Sequence, residues 1–358
     1  MLIHKWLRNL ALGGLIAIPL TLSGCGLFSK EASTQIDPPP SDVELSMMND
    51  SQPVQAVKTP QTAKAKIENG LTVFLKDGNG FLAPITLDVK TKKDENAAVK
   101  SLEMMVEDGK YKADLPTGFQ GVLPKGTQVK SVTRDDKQKL AIVEFSHQFS
   151  DYNVQDERKI VEAVTWTLTN DPTIDKVQIW LDGQQLNEMP VDGLPMDEPL
   201  TREMGINLEK SDNVTYLNSM PVTVYFSAVT PDNVQYYVPV TRLIEPSSDL
   251  AQASLKQLIQ GPLTTDKSLV PVIDTETQVK QIQQTKDTIT VDLTDSIFDE
   301  KDKTPSEMLQ ALVLTLTENT SAQKVQIKIN GTENVIGDDD QNYGKPVSRP
   351  NSINAIKL

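Results

Sequence analysis

Residues Val161–Gly183 read VEAVTWTLTNDPTIDKVQIWLDG, and residues Leu309–Gly331 read LQALVLTLTENTSAQKVQIKING. Thr167-Leu168-Thr169 matches Thr315-Leu316-Thr317, and Lys176-Val177-Gln178-Ile179 matches Lys324-Val325-Gln326-Ile327, both at an offset of 148 residues. A gapless match of this length is poorly explained by chance and marks a tandem duplication. The period is too long for a solenoid unit and fits two whole domains.

Working outward, each stretch reads as a helix followed by a strand. Val161, Val164 and Leu168 make a buried stripe that ends at Asp171-Pro172, and Val177–Leu181 is the closing strand. In the second copy Leu312, Leu314 and Leu316 alternate as a strand would. The pattern Thr304-Pro305-Ser306-Glu307, a capping box with proline at the first helical position, favours helix. Upstream in copy one, Leu71–Leu75 and Pro84–Val89 are strand candidates around the turn Asp77-Gly78-Asn79-Gly80. Asp94 is a candidate cap for a helix carrying Val99, Leu102 and Val106, stopped by Gly109. Thr127–Arg134 and Leu140–Phe145 form a hairpin, and Asn153 starts the second helix. Copy two repeats this order, with Val222–Phe226, Val234–Ile244, a helix through Ser254-Leu255 to Gly261-Pro262, Thr277-Gln278-Val279-Lys280 and Ile289–Leu293.

The expected fold class is therefore α+β: two tandem duplicated two-layer domains, each a small mixed sheet with two helices packed on one face in β-β-α-β-β-α-β order. The expected domains are 67–188 and 220–337. A proline-bearing linker spans 189–219 and a disordered polar tail spans 338–358.

The N-terminus reads differently. Lys5 and Arg8 precede the apolar run Leu10–Leu22, which is shorter than the roughly 20 residues a membrane span needs. Residues 1–24 are an export signal ending in Leu22-Ser23-Gly24-Cys25, which resembles a bacterial lipobox. That resemblance implies lipidation: diacylglycerol on Cys25 anchors the chain to the extracytoplasmic face of the membrane. Cys25 is the single cysteine, so no intramolecular disulfide can form. Residues 25–66 are the lipidated Cys and a flexible tether, whose stretch Lys30–Lys66, with Pro38-Pro39-Pro40 and no apolar periodicity, reaches roughly 30–35 Å. The net charge of −14 argues against nucleic acid as a partner. An acidic body does not bind an anionic membrane unaided, so the lipid carries the anchoring.

Candidates for chemistry are few. His4 lies in the signal, and His147 follows the strand Leu140–Phe145, where copy two has Asp295. Zinc-peptidase, thiol-redox, serine-hydrolase and P-loop motifs do not occur. Asp151, Asp156 and Glu157 form the tightest carboxylate cluster and are expected to serve the start of a helix. Asp338-Asp339-Asp340 reads as a solvated run rather than a cation site. Phe226, Tyr236 and Tyr237 could stack on sugar, but at strand positions they read as core. Gly183 and Gly331 are turn glycines, not phosphate cradles. No catalytic, cofactor or metal residue is assigned, and the only site residue is the lipidation site, Cys25.

The motif Leu255–Pro262, Thr277-Gln278-Val279-Lys280, and Leu316-Thr317 with Val325–Gly331, each echoed in copy one behind a lipobox, resembles the GerM family of bacterial spore germination lipoproteins, built from two GerMN domains. Copy one departs at Glu107-Asp108-Gly109-Lys110, where no Gly-Pro occurs, so a role for Pro262 does not carry over. The resemblance implies a non-enzymatic role at the membranes between mother cell and forespore. It also implies domains similar to ring-building domains, protein partners in a sporulation complex, self-association, and a place in the intermembrane space. The rival class is a lipoprotein that binds or modifies cell-wall glycan such as cortex peptidoglycan. A clustered acid pair with aromatic walls would favour that rival.

Overall fold

A computed structural model describes residues 67, 70–89, 95–211, 214–263, 268–296, 298 and 301–355. The export signal, Cys25, the tether and Asp94 lie outside the described residues.

Copy one begins with β1 (Leu71–Asp77) and β2 (Leu82–Leu87). The Asp77 carboxylate closes their turn by accepting from the Asn79 and Phe81 amides, as Asp does at turns. Helix α1 (Ala97–Met104) is capped by Asn96, whose side-chain oxygen accepts from the amides of Ala98 and Val99. A two-residue strand β3 (Phe119–Gln120) is followed by β4 (Val129–Asp135) and β5 (Leu140–Phe145), then α2 (Glu157–Leu168), β6 (Lys176–Leu181) and β7 (Gln184–Gln185). In α2 the stripe Val161, Val164 and Leu168 is buried, as its spacing predicts. Strand β6 turns Val177 and Ile179 inward and exposes Lys176.

After β8 (Glu209–Lys210), copy two supplies β9 (Met220–Val229), β10 (Gln235–Ile244), α3 (Leu250–Gln260), β11 (Gln278–Gln284), β12 (Thr288–Thr294), α4 (Ser306–Asn319), β13 (Lys324–Ile329) and β14 (Val347–Ser348). The ambiguous segment around Leu314 is helix, and burial on nearly all sides explains why its sequence lacks a clean stripe.

The α+β class and the element order are as expected. The strands of each copy divide between two sheets: β2-β1-β3 and β4-β5-β6-β7 in copy one, β8-β10-β9 and β11-β12-β13-β14 in copy two. At the division a helix side chain meets the first strand of each copy. The Phe74 amide of β1 donates to the Thr167 hydroxyl of α2, and the Tyr225 amide of β9 donates to the Thr315 hydroxyl of α4. A helix hydroxyl thus takes the place of a neighbouring strand. In each outer sheet the central pair, β5–β6 or β12–β13, is parallel and joined through the second helix.

Three expectations are corrected. Residues 189–219 are not a bare linker: Met189, Met196 and Ile206 are buried, and β8 pairs with β10. Residues 338–355 are not a disordered tail: Tyr343 and Ile353 are buried, and β14 pairs with β13. The capping box does not form, because the Ser306 amide that opens α4 donates to the Asp338 carboxylate and Thr304 Oγ1 has no hydrogen-bond partner. Both segments are polar overall in sequence. Their order comes from a few isolated buried side chains together with backbone groups on opposing strands, neither of which average composition displays.

Candidate functional site

The repeated Thr-Leu-Thr explains itself at the seam between the copies. Thr167 and Thr315 hold the first strand of their own copy, and Leu168 and Leu316 are core. Thr169 and Thr317 bond back to the carbonyls of Thr165 and Val313 and also meet an arginine. Arg202 Nε donates to Thr169 Oγ1, and Arg349 Nη1 donates to Thr317 Oγ1. The same guanidiniums reach the carbonyls of Trp166 and Leu314 and lie over the rings of Trp166 and Tyr225, at 4.4 and 5.3 Å from the centroids. A cation at a helix C-terminus is favourable with the helix dipole.

The two arginines converge on one carboxylate. Arg202 Nη1 lies 2.9 Å from Glu318 Oε1, and Arg349 Nη2 lies 2.7 Å from Glu318 Oε2, where the Tyr225 hydroxyl also donates. Burial alone would raise the Glu318 carboxyl, but the two guanidinium charges and these hydrogen bonds hold it down at about 2.

Beyond each arginine the chain crosses to the opposite copy. Arg202 is followed by Ile206-Asn207 and Arg349 by Ile353-Asn354, an offset of 147 residues. The Ile206 amide donates to Thr241 Oγ1 and its carbonyl accepts from the Thr241 amide. The Ile353 amide and carbonyl do the same with Thr86. The arm of copy one therefore docks on β10, and the arm of copy two docks on β2. Asn207 accepts from the Leu82 amide and donates to the carbonyls of Leu82 and Pro239. Asn354 accepts from the Tyr237 amide and donates to the carbonyls of Pro84 and Tyr237. Both asparagines have positive φ, 49° and 51°, which asparagine tolerates better than most residues. Pro84 and Pro239 face each other's copy without an N–H, so β2 and β10 cannot zip directly into one sheet, and the two amides join them instead.

The sequence carried a signal for this seam. Leu82-Ala83-Pro84-Ile85-Thr86 and Tyr237-Val238-Pro239-Val240-Thr241 share one pattern 155 residues apart, and the arms share Arg-x-x-x-Ile-Asn. Neither falls on the 148-residue offset of the dominant repeat, because the hairpin and the connector differ in length between copies.

His147 is exposed, with Nδ1 3.8 Å from Asp182 Oδ2. Asp151 and Asp156 line a polar cleft of about 80 Å³ with Lys76, Lys159, Glu107 and Tyr152. Glu157 points elsewhere. It is buried, and its carboxylate accepts from the amides of Val191, Asp192 and Leu194 and from the Tyr152 hydroxyl, so it anchors the loop after copy one. Burial opposes its charge, but these four donors hold its carboxyl below the usual glutamate value. The Asp338–Asp340 run is not simply solvated. Asp338 caps α4, Asp339 accepts from the Tyr343 hydroxyl and Gln310, and Asp340 pairs with Lys303. Phe226, Tyr236 and Tyr237 are buried and cannot stack on sugar; Tyr236 donates to Asp77 of the other copy at 2.7 Å. Gly183 and Gly331 follow Asp182 and Asn330 in two-residue turns with positive φ throughout. Among the described residues no three His, Cys, Asp or Glu side chains converge as a metal ligand set. No described helix is long and apolar enough to cross a membrane.

Open surface remains at the strand edges β4 and β11, which end their sheets and are largely exposed. It also remains at Tyr216 and Leu217, 71% and 102% exposed beside the Thr215–Asn218 bridge.

The fold and seam define a class: a tandem duplicated α+β protein whose copies are clasped to each other by exchanged arms. The chain belongs to the Germane family of sporulation and spore germination, whose model matches residues 72–187 and 223–335. It is 38% identical over 356 residues to the spore germination protein GerM of Bacillus subtilis (strain 168), covering 94% of each chain. Among solved structures it is similar to the tandem GerMN domains of the sporulation protein GerM from Bacillus subtilis, with a TM-score of 0.74 and 35% identity. That match covers 80% of this chain and all of the other.

Proposed function

We propose that this protein is a non-enzymatic, lipid-anchored assembly component of the complex between mother cell and forespore, acting through its two ring-building-like domains. The observation that carries this reading is the seam. Two family domains are joined back to back, while the outer edges β4 and β11 stay open for association. Diacylglycerol on Cys25 holds the pair at the extracytoplasmic face, in the intermembrane space. Protein components of the complex, and self-association, are the proposed contacts.

The test is made in sporulating cells. Cys25→Ser should leave the precursor uncleaved and unlabelled by a fatty-acid probe. Charge reversals on β4 or β11 should displace a folded protein from its complex. Wild-type processing of Cys25→Ser would remove the anchor, and wild-type placement of both edge variants would remove the edge contacts.

The cleft holding Asp151 and Asp156 is the one feature that favours a glycan-directed role. Its Tyr152 hydroxyl is already committed to Glu157, and two lysines stand among its carboxylates. A folded Asp151→Ala or Asp156→Ala chain that lost function while still binding its partners would favour that second reading.

A further inference from the structure

We infer that the groove between β2 and β10 is a docking site for an Arg-x-x-x-Ile-Asn arm, and that a second copy of this chain can supply the arm. The chain shows this recognition twice. Each arm has a root on its own copy and a tip on the other. At the roots, Leu200 bridges Val177 and Val347 pairs with Val325, and the arginine then sits at the end of the second helix. At the tips, the isoleucine exchanges two hydrogen bonds with Thr241 or Thr86, and the asparagine fills the gap between the facing strands.

The site recognises main-chain groups, one isoleucine pocket and one amide. Nothing in that chemistry requires the arm to come from the same chain. The occupant is a second copy because its segment 347–355 carries every group the groove uses, and because exchanging an identical element is a low-cost route to association. The connector arm is fixed on both sides by covalent continuity, so the exchangeable arm is the one after copy two.

The experiment uses two full-chain variants and one peptide. Ile353→Asp with Asn354→Ala removes the arm tip and leaves the groove. Thr86→Pro damages the groove and leaves the arm; proline is tolerated there because the Thr86 amide points away from β1, toward Ile353. A fluorescent peptide of residues 347–355 should bind the arm variant saturably. It should bind the Thr86→Pro chain at least tenfold more weakly, and the same peptide with Asn354→Ala should lose at least tenfold on the arm variant. In light scattering after gel filtration, each variant alone should be a monomer and an equimolar mixture should contain a 1:1 dimer. If the double variant does not melt cooperatively, Asn354→Ala alone takes its place. No peptide binding to a cooperatively melting arm variant overturns the docking site. Peptide binding without pairing of the two chains overturns the second copy as its occupant.

Discussion

Thr167 and Thr315 do the same work in the two copies, while Asn170, just past the end of α2, and Glu318, still within α4, three residues further along, do not. Each threonine receives the amide of its own copy's first strand. Glu318 gathers Arg202 and Arg349 from both arms, and Asn170, in the corresponding place, gathers neither. One carboxylate thus serves two guanidiniums across a seam that is otherwise nearly two-fold. The same contrast recurs further out. Copy one secures the loop after it with Glu157, whereas copy two secures its following segment with Asp338 and Tyr343. Likeness between the copies covers the threonines that hold each first strand and the asparagines that join the copies. Difference falls both inside the seam, at Glu318, and outside it, where each copy fastens the segment that follows it.

Cutting the second arm should have the largest effect. A fragment of residues 211–337 lacks Arg202, Arg349, β14 and both arm tips. It should show no cooperative thermal transition under conditions where the whole chain does. A stable, cooperatively melting fragment would show that the seam is dispensable to copy two.

Next in size is the shared carboxylate. Glu318→Ala leaves two guanidiniums mostly buried without a counter-charge and should cost about 3–5 kcal/mol in urea unfolding. Asn170→Ala should stay within about 0.5 kcal/mol. Similar losses from the two would mean that the asymmetry has no energetic content. The same residue makes a pH prediction. Its carboxyl titrates lower folded than unfolded, so its contribution is present above the ordinary glutamate value and is lost as pH falls from about 5 toward 2. Glu318→Gln should flatten that fall by up to roughly 3 kcal/mol.

The asparagines sharpen the symmetry. Asn207→Ala and Asn354→Ala each leave strand amide and carbonyl groups unpaired and should each cost about 2 kcal/mol. A gap between them of more than about 1 kcal/mol, measured in the same denaturant, would mean that the two halves of the seam are unequal in energy. Smallest of all, His147→Ala, Asp151→Ala and Asp156→Ala should each lie within about 0.5 kcal/mol of wild type. Glu157→Ala should be set apart from them by a loss of about 2 kcal/mol, since its four donors would lose their acceptor. If all four behaved alike, the anchoring role of Glu157 would be wrong.

Several features were legible in the residues alone. The duplication, the element order, the helix through Leu314 and the turn role of Gly183 and Gly331 all rest on local patterns: exact spacing, periodicity and positive-φ preference. The burial of Phe226, Tyr236 and Tyr237 followed from their strand positions. The family followed from motifs that sit on helix ends and closing strands, which are local as well. Tertiary structure alone decided the rest. It divided the strands of each copy between two sheets, with a helix threonine accepting from one amide of the first strand. It turned a polar linker and a polar tail into reciprocal arms, and it placed Arg202, Arg349 and Glu318, more than a hundred residues apart at the extremes, within one hydrogen-bonded cluster. The physical reason is the same in each case. Hydrophobic periodicity reports regular stripes of side chains that leave water, whereas these segments are held by isolated buried side chains, backbone groups and paired charges whose partners are distant in the chain.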